Sequence, residues 1–380
     1  MEKKPLKFTT KRRTEAGVFL VIFLGTFTFI GSRMGLPNML NTIMQTSYSL
    51  LIDTVFYIMA ITVLSGALGK LLTEFGVVRL MEVILKPLMK PLYNLPGVAA
   101  LGGLLTFLSD NPAIISLAKD QNFNRYFKKY QLISLTNYGT AFGMGLVVII
   151  FMAGRGFGSA AVVGLAGAVI GSIISTRIMQ MFTVKQFPEL ETEQVEGGDE
   201  QKISFKSEGS IFLRGLNAIL DGGKTGVDLG LAIIPGVLII STFVMILTFG
   251  PSPEGFTGGA YEGIALLPYL AQKVNFVFVG LFGFQHPELI AFPITSLGAV
   301  GAALGLVPKF QNAGLLDGNA IAVFTAMGMC WSGFLSTHTA MLDSLGYRKL
   351  TGKALLSHTI GGLFAGISAH WIFYLLSLVF

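Results

Sequence analysis

The sequence predicts an all-helical polytopic membrane protein of two inverted-topology repeats, each with a re-entrant helical hairpin and a broken transmembrane helix. Three observations predict it. Of the 380 residues, 52% are hydrophobic and 13% charged, with a mean hydropathy of +0.67, whereas soluble domains carry about 25% charged residues. Apolar segments near the roughly 20 residues needed to span a bilayer recur at 15–33, 49–72, 131–152, 159–182, 226–249, 318–340 and 354–379. A carboxylate and a polar break containing proline occur twice at one offset: Asp53, Asn111 and Pro112 stand 175 residues before Asp228, His286 and Pro287. Duplicated halves with matched interruptions point to a transporter site between repeats.

Residues 1–44 are expected to form a cytoplasmic N-terminus and a first transmembrane helix. Lys3, Lys4, Lys7, Lys11, Arg12 and Arg13 precede the apolar run 17–30, and such basic clusters stay on the cytoplasmic side. No small-x-small cleavage site follows, so the run reads as an anchor and not as a removed signal.

Residues 45–182 form the first repeat. Within it, 95–108 and 112–118 are each too short to cross and are separated by Ser109-Asp110-Asn111-Pro112. Proline lacks an N–H and disfavours helix in the residue before it, so the break frees backbone groups that need partners inside a membrane. A re-entrant hairpin lining a polar cavity supplies them; a kinked single span is the competing reading. Arg79, Lys86 and Lys90 before this segment, and Lys119, Arg125, Lys128 and Lys129 after it, place both its ends in the cytoplasm.

The stretch 183–208 holds seven of the 21 acids and no apolar period, so it reads as a solvated cytoplasmic linker. Residues 209–380 form the second repeat, in which 276–284 and 289–307 flank Gln285-His286-Pro287-Glu288. The preceding 250–272 contains no Lys or Arg, which puts the second hairpin's ends outside and inverts this half. Near the ends of the halves, Gly167–Ile173 and Gly362–Ser368 show similar small-xxx-small faces, a pattern that lets helices approach closely.

Ionisable groups cost about 2.5–3.5 kcal/mol at the membrane centre even on gentle scales, so those retained there are candidates for a site. Asp110, Asn111, Gln285, His286 and Glu288 stand at the breaks, where freed N–H groups bind anions or hydroxyls and freed carbonyls and amide oxygens coordinate cations. Their competing role is to satisfy the break's own backbone. Asn137 and Thr140 in the first half, with Ser332, Thr337 and His338 in the second, line the following spans and suit a neutral or zwitterionic ligand. Ser and Thr that only bond their own helix are the bland counterpart. Asp53 and Asp228 read equally as ion-coupling groups and as carboxylates complementing a helix N-terminus.

Other classes are disfavoured. The +6 net charge flanks apolar segments instead of forming a patch with interleaved aromatics, so no nucleic-acid partner is expected. One cysteine, Cys330, and four scattered histidines without an HExxH arrangement give no metal site. No GxxxxGK[ST] loop is present, which argues against ATP-driven pumping, and no nucleophile–base spacing suggests an intramembrane hydrolase. No cofactor and no enzymatic activity are expected.

The Gly-Lys-Thr-Gly-Val-Asp-Leu-Gly run at 223–230, the Asp-Asn-Pro and His-Pro-Glu breaks, and the Asn-Tyr-Gly-Thr and Trp-Ser-Gly-Phe segments resemble those of Gate-domain ("nucleoside recognition") membrane proteins. The likeness is to the YjiH/YjiG-like group and the spore-maturation membrane proteins A and B, with two halves in one chain, over residues 45–380. It implies inverted repeats whose hairpins and broken helices meet at a central site, in a multi-pass protein of the bacterial inner membrane. Concentrative nucleoside transporters share this domain, but their first hairpin carries a Gln-Thr-Glu-Ala-Pro-like run that this chain lacks. The combined expectation is a secondary transporter, coupled to Na⁺ or H⁺, whose partners are a small polar nucleoside-like or amino-acid-like solute and the lipid bilayer. A homo-oligomer is compatible with it. A non-transporting scaffold or signalling component is the rival.

Overall fold

The computed structural model describes residues 10–195 and 209–379. Lys3, Lys4 and Lys7, and the linker acids Glu196, Asp199, Glu200 and Glu208, lie outside the described residues. The chain is helical and multi-pass, with seven helices among the described residues long and apolar enough to cross a membrane, and every span expected from the sequence overlaps one of them. Two run far longer than their apolar cores suggested.

In the first half, α1 (Thr10–Met34) breaks at Gly35, whose φ of 80° stops the helix, and α2 (Leu36–Glu74) restarts with Pro37 in its first turn. Then come α3 (Val77–Leu88), the short pair α4 (Ala99–Leu108) and α5 (Pro112–Lys119), the broken span α6 (Lys129–Thr140) and α7 (Gly145–Gly154), and α8 (Gly158–Gln186). The second half follows the same order. It comprises α9 (Ile211–Thr248), α10 (Leu266–Gln272), α11 (Asn275–Phe282), α12 (Pro287–Ser296), α13 (Val300–Leu304), α14 (Val307–Asn312), the broken span α15 (Gly318–Cys330) and α16 (Phe334–Ser344), and α17 (Thr351–Ser377). Prolines perturb the helical ladder locally. Pro235 withholds an N–H from α9, and the hydrogen bonding widens to a π-turn over Gly236–Ser241.

Left-handed residues mark the correspondence between halves. Gly76, Asn94 and Met144 have positive φ, and so do Ala265, Gly283 and Gly333, each 189 residues further on. The long spans keep the shorter offset, since Leu36 and Ile211 begin them 175 residues apart. Between lies the cause: residues 249–265 form a 17-residue connection where the first half has only Phe75 and Gly76.

This changes the second hairpin. Ser109-Asp110-Asn111-Pro112 corresponds to Gly298-Ala299-Val300-Gly301, and the chain turns back there, between α12 and α13. Phe292 and Phe310 both pack on Phe324, at ring-centroid distances of 4.1 and 6.2 Å, as outgoing and returning arms would. Gln285-His286-Pro287-Glu288 sits instead at a 75° bend between α11 and α12, the counterpart of Pro96-Gly97-Val98-Ala99. The expectation of a tip at Pro287 is therefore corrected. The first segment does fold back on itself, with Gly102 of α4 against Ile114 and Leu117 of α5.

Equivalent helices pair antiparallel along seams of small residues. Met59, Thr62 and Gly66 of α2 meet Gly230, Gly226 and Gly222 of α9 in reverse order, and the Thr62 hydroxyl donates to the Gly226 carbonyl at 2.7 Å. Likewise Gly167 and Gly171 of α8 face Ala365 and Gly361 of α17. A Cβ on Gly66, Gly222 or Gly226 would run into the opposing backbone. The face of α17 expected to match, Gly362 and Gly366, packs instead on Trp331 and Met327 of the second broken span. The broken spans are the centre of the molecule: 83% and 78% of their most apolar windows are buried, against 6% for α1.

Candidate solute site

The first hairpin tip docks onto both helix breaks. Between α4 and α5 the helix breaks at Ser109, whose φ of −128° and ψ of −102° leave helical geometry, and Asn111 is already helical where Pro112 opens α5. Asn111, 5% exposed, donates from Nδ2 to the Ser332 carbonyl at 3.0 Å and lies 3.4 Å from its hydroxyl. That carbonyl is free because the helix stops at Cys330. The Ser332 hydroxyl in turn reaches the Thr140 carbonyl at 3.5 Å, at the end of α6. Contact this close requires glycine on both sides: a Cβ on Gly143 would meet Ser332 Oγ and the Asn111 amide, and one on Gly333 would meet Asn111 Nδ2 and Thr337 Oγ1. Asn111, the Thr140 carbonyl, Ser332 and Thr337 thus lie together at the tip.

Asn137 and His338 belong to a deeper polar cluster. Asn137 Nδ2 donates to the hydroxyls of Ser175 and Ser357 at 3.0 and 2.8 Å and contacts the Ala354 carbonyl. Ser175 lies 2.9 Å from His358 Nδ1, and His358 Nε2 donates to the Cys330 carbonyl. The His338 ring sits 4.5 Å from that of His358. Its Nδ1 donates to the Phe334 carbonyl at 2.6 Å, which makes Nε2 an acceptor. This network ties α6, α8, α16 and α17 together and holds both broken spans in register. Sequence reasoning missed Ser175, Ser357 and His358, since nothing local distinguishes them from ordinary packing residues.

Beside the tip, a cavity of about 550 Å³ opens between the first hairpin and the α2–α9 pair. Asp110 and Ser116 line it from the hairpin, Thr62 and Lys70 from α2, and Thr225 and Asp228 from α9. Of the two ion-coupling candidates, Asp228 is in this cavity. Asp53 is not, and instead accepts from the Ser49 hydroxyl at 2.8 Å, which also bonds Tyr261. Lys70 was missed, although Thr62, Ser65, Gly69 and Thr73 recur at helical spacing and mark this small, polar face of α2 in the sequence.

The remaining candidates are elsewhere. Gln285 is exposed and donates to the Gly283 carbonyl at 3.1 Å, and His286 and Glu288 are half-buried in the same bend. The structure does not bring them to the first tip or its cavity.

No protein-family model matches the chain, and no curated protein does. Solved structures do. A double variant of the concentrative nucleoside transporter CNTnw in an outward-facing state superposes with a TM-score of 0.55 at 13% identity, covering 96% of this chain and 87% of that one. CNTnw in an inward-facing substrate-bound state gives 0.53 at 12%, covering 95% and 87%. A variant in an intermediate state gives 0.53 at 13%, covering 96% and 87%. At this identity the match establishes the fold.

Proposed function

We propose that the protein is a secondary transporter that carries a small polar solute across the membrane by alternating access. The observation that carries this reading is the mixed-charge cavity at the first hairpin tip, lying between the α2–α9 pair and a bundle whose helices are broken where the tip docks. Discontinuous helices meeting a hairpin at a polar cavity are how transporters present backbone groups to solute and ion. The fold supports it too, since CNTnw has been captured outward-facing, in intermediates and inward-facing with substrate. Antiparallel pairing of α2 with α9 and α8 with α17 supports inverted-topology repeats of the Gate-domain type.

Asp110 and Asp228 are the groups we assign to solute or coupling-ion binding, with Na⁺ or H⁺ as driver; the unpaired amide oxygen of Asn111 favours a cation near the tip. We place the protein in a bacterial inner membrane with its N-terminus in the cytoplasm, on the basic residues of that segment. A scaffold role would leave the desolvation of these groups without a return. Uptake of radiolabelled solutes into proteoliposomes under an imposed Na⁺ or pH gradient tests the reading. Accumulation that collapses with the gradient is expected, and solute binding with no uptake under either gradient would overturn it.

A further inference from the structure

We infer that the cavity takes a small zwitterion of amino-acid type, its ammonium group against Asp110 and Asp228 and its carboxylate against Lys70, in place of a nucleoside. The inference rests on the transport reading above and deepens it.

The charged lining is two carboxylates and one ammonium. Among the described residues, no ion pair joins Lys70 to either carboxylate, so the opposite charges are not spent on each other. A solute that is neutral everywhere would leave them without counter-charge as closure removed water, an unfavourable outcome at reduced dielectric. A zwitterion supplies both signs. The rest of the lining combines hydroxyls, those of Ser109, Ser116 and Thr225 among them, with aliphatic side chains such as Leu108, Val147 and Leu229.

A nucleobase asks for different surroundings. It is held by stacking on aromatic or guanidinium planes and by hydrogen bonds to its edges. Among the described residues, the lining contains no aromatic ring, no arginine and no carboxamide. Its volume of about 550 Å³ falls within the usual range for small-molecule sites, so the chemistry of the wall, and not its size, discriminates.

The test uses full-length protein in nanodiscs at pH 7 in NaCl, with L-serine, L-alanine, N-acetyl-L-serine, ethanolamine and uridine followed by calorimetry. L-serine or L-alanine should bind, and N-acetylation should weaken L-serine about tenfold or more, the scale set by losing a charged hydrogen-bond partner. Asp228→Asn, an isosteric change at an exposed position, should weaken the amino acids about as much. Lys70→Gln should weaken L-serine while leaving ethanolamine within about twofold, since only the former carries a carboxylate. Uridine binding without either amino acid, no binding by either amino acid, or an Asp228→Asn protein that binds L-serine like wild type would overturn the inference. Uptake measured in parallel separates the two claims. Uridine transport without amino-acid transport removes the zwitterion and keeps the transporter, whereas amino-acid binding without uptake does the reverse.

Discussion

Replacing Asn111 with alanine should loosen the first hairpin tip without unfolding the protein. The side chain is 5% exposed, and its Nδ2 is what satisfies the Ser332 carbonyl, at 3.0 Å. Deleting it leaves that carbonyl unpaired in a buried setting, a loss of about 1–3 kcal/mol. If the tip opens locally, the same free energy raises its open population roughly 5- to 150-fold, and its amides exchange faster by that factor. Hydrogen–deuterium exchange of the peptide spanning 105–116 reads this directly and needs no knowledge of the solute. The amides of Ser109 and Ala113, bonded to the Leu105 and Asp110 carbonyls, are the reporters. Gly143→Ala should give a similar acceleration, because its new methyl would occupy the space of Asn111 and Ser332 Oγ. Ser332→Ala should do less, since it loses only contacts of 3.4 and 3.5 Å. Unchanged exchange at the tip in Asn111→Ala, or acceleration spread evenly over α8 and α17, would refute the docking argument.

Other outcomes follow from the same structure. Gly226→Ala should lower the yield of folded protein and its melting temperature, with about 1–3 kcal/mol of overpacking against Thr62 and Val63. Gly223→Ala, whose Cβ would meet only Val63 at 3.6 Å, should be neutral or stabilising, and equal damage from both would sink the seam. His286→Ala should leave tip exchange and L-serine binding within about twofold of wild type, because it sits at the bend; a tenfold loss would restore it to the site. In the connection 249–265, burial pulls the Glu262 carboxyl upward, but hydrogen bonds from the Thr257 hydroxyl and the Thr257 and Gly258 amides outweigh this and hold it below the usual carboxylate value. A depressed folded value means the stabilisation is present above the unfolded value of about 4.3 and is lost as pH falls through the folded one. Exchange protection of 249–265 should therefore drop in acid, and Glu262→Gln should flatten that dependence; identical acid profiles would contradict it.

What the sequence disclosed follows from which interactions are local. Spans were legible because hydropathy integrates over about 20 residues, and the first tip because Pro112 and short flanking arms are both written near it. The second tip carries no proline or charge at Gly298-Ala299-Val300, so a polar His-Pro-Glu bend drew the assignment away. The matching 175-residue offset of His286 was coincidental, the 249–265 connection having displaced everything after α9. Backbone signs that reveal the true correspondence fall partly on Met144 and Ala265, residue types that do not announce left-handed geometry. Asp228 and Lys70 come to line one cavity only through the packing of α2 on α9, which no local pattern encodes.

The 249–265 connection also breaks the equivalence of the halves energetically. Its Phe256 carbonyl accepts from Asn38 at 2.9 Å, its Tyr261 amide donates to Thr46 at 2.8 Å, and its Phe249 and Tyr261 rings hold the Lys309 ammonium at 5.4 and 5.2 Å. Nothing of that length straps the first half. If the halves exchange roles, as the proposed alternating access requires, perfect sameness would make the two end states degenerate, each occupied half the time. One-sided fastening lifts that degeneracy. Two hydrogen bonds of about 0.5–1.5 kcal/mol each, if made in one end state and not the other, set a resting ratio of about 5 to 150. On the proposed transport cycle, the protein would then have a preferred waiting posture written into a loop, and any driving gradient would work against or with that built-in tilt.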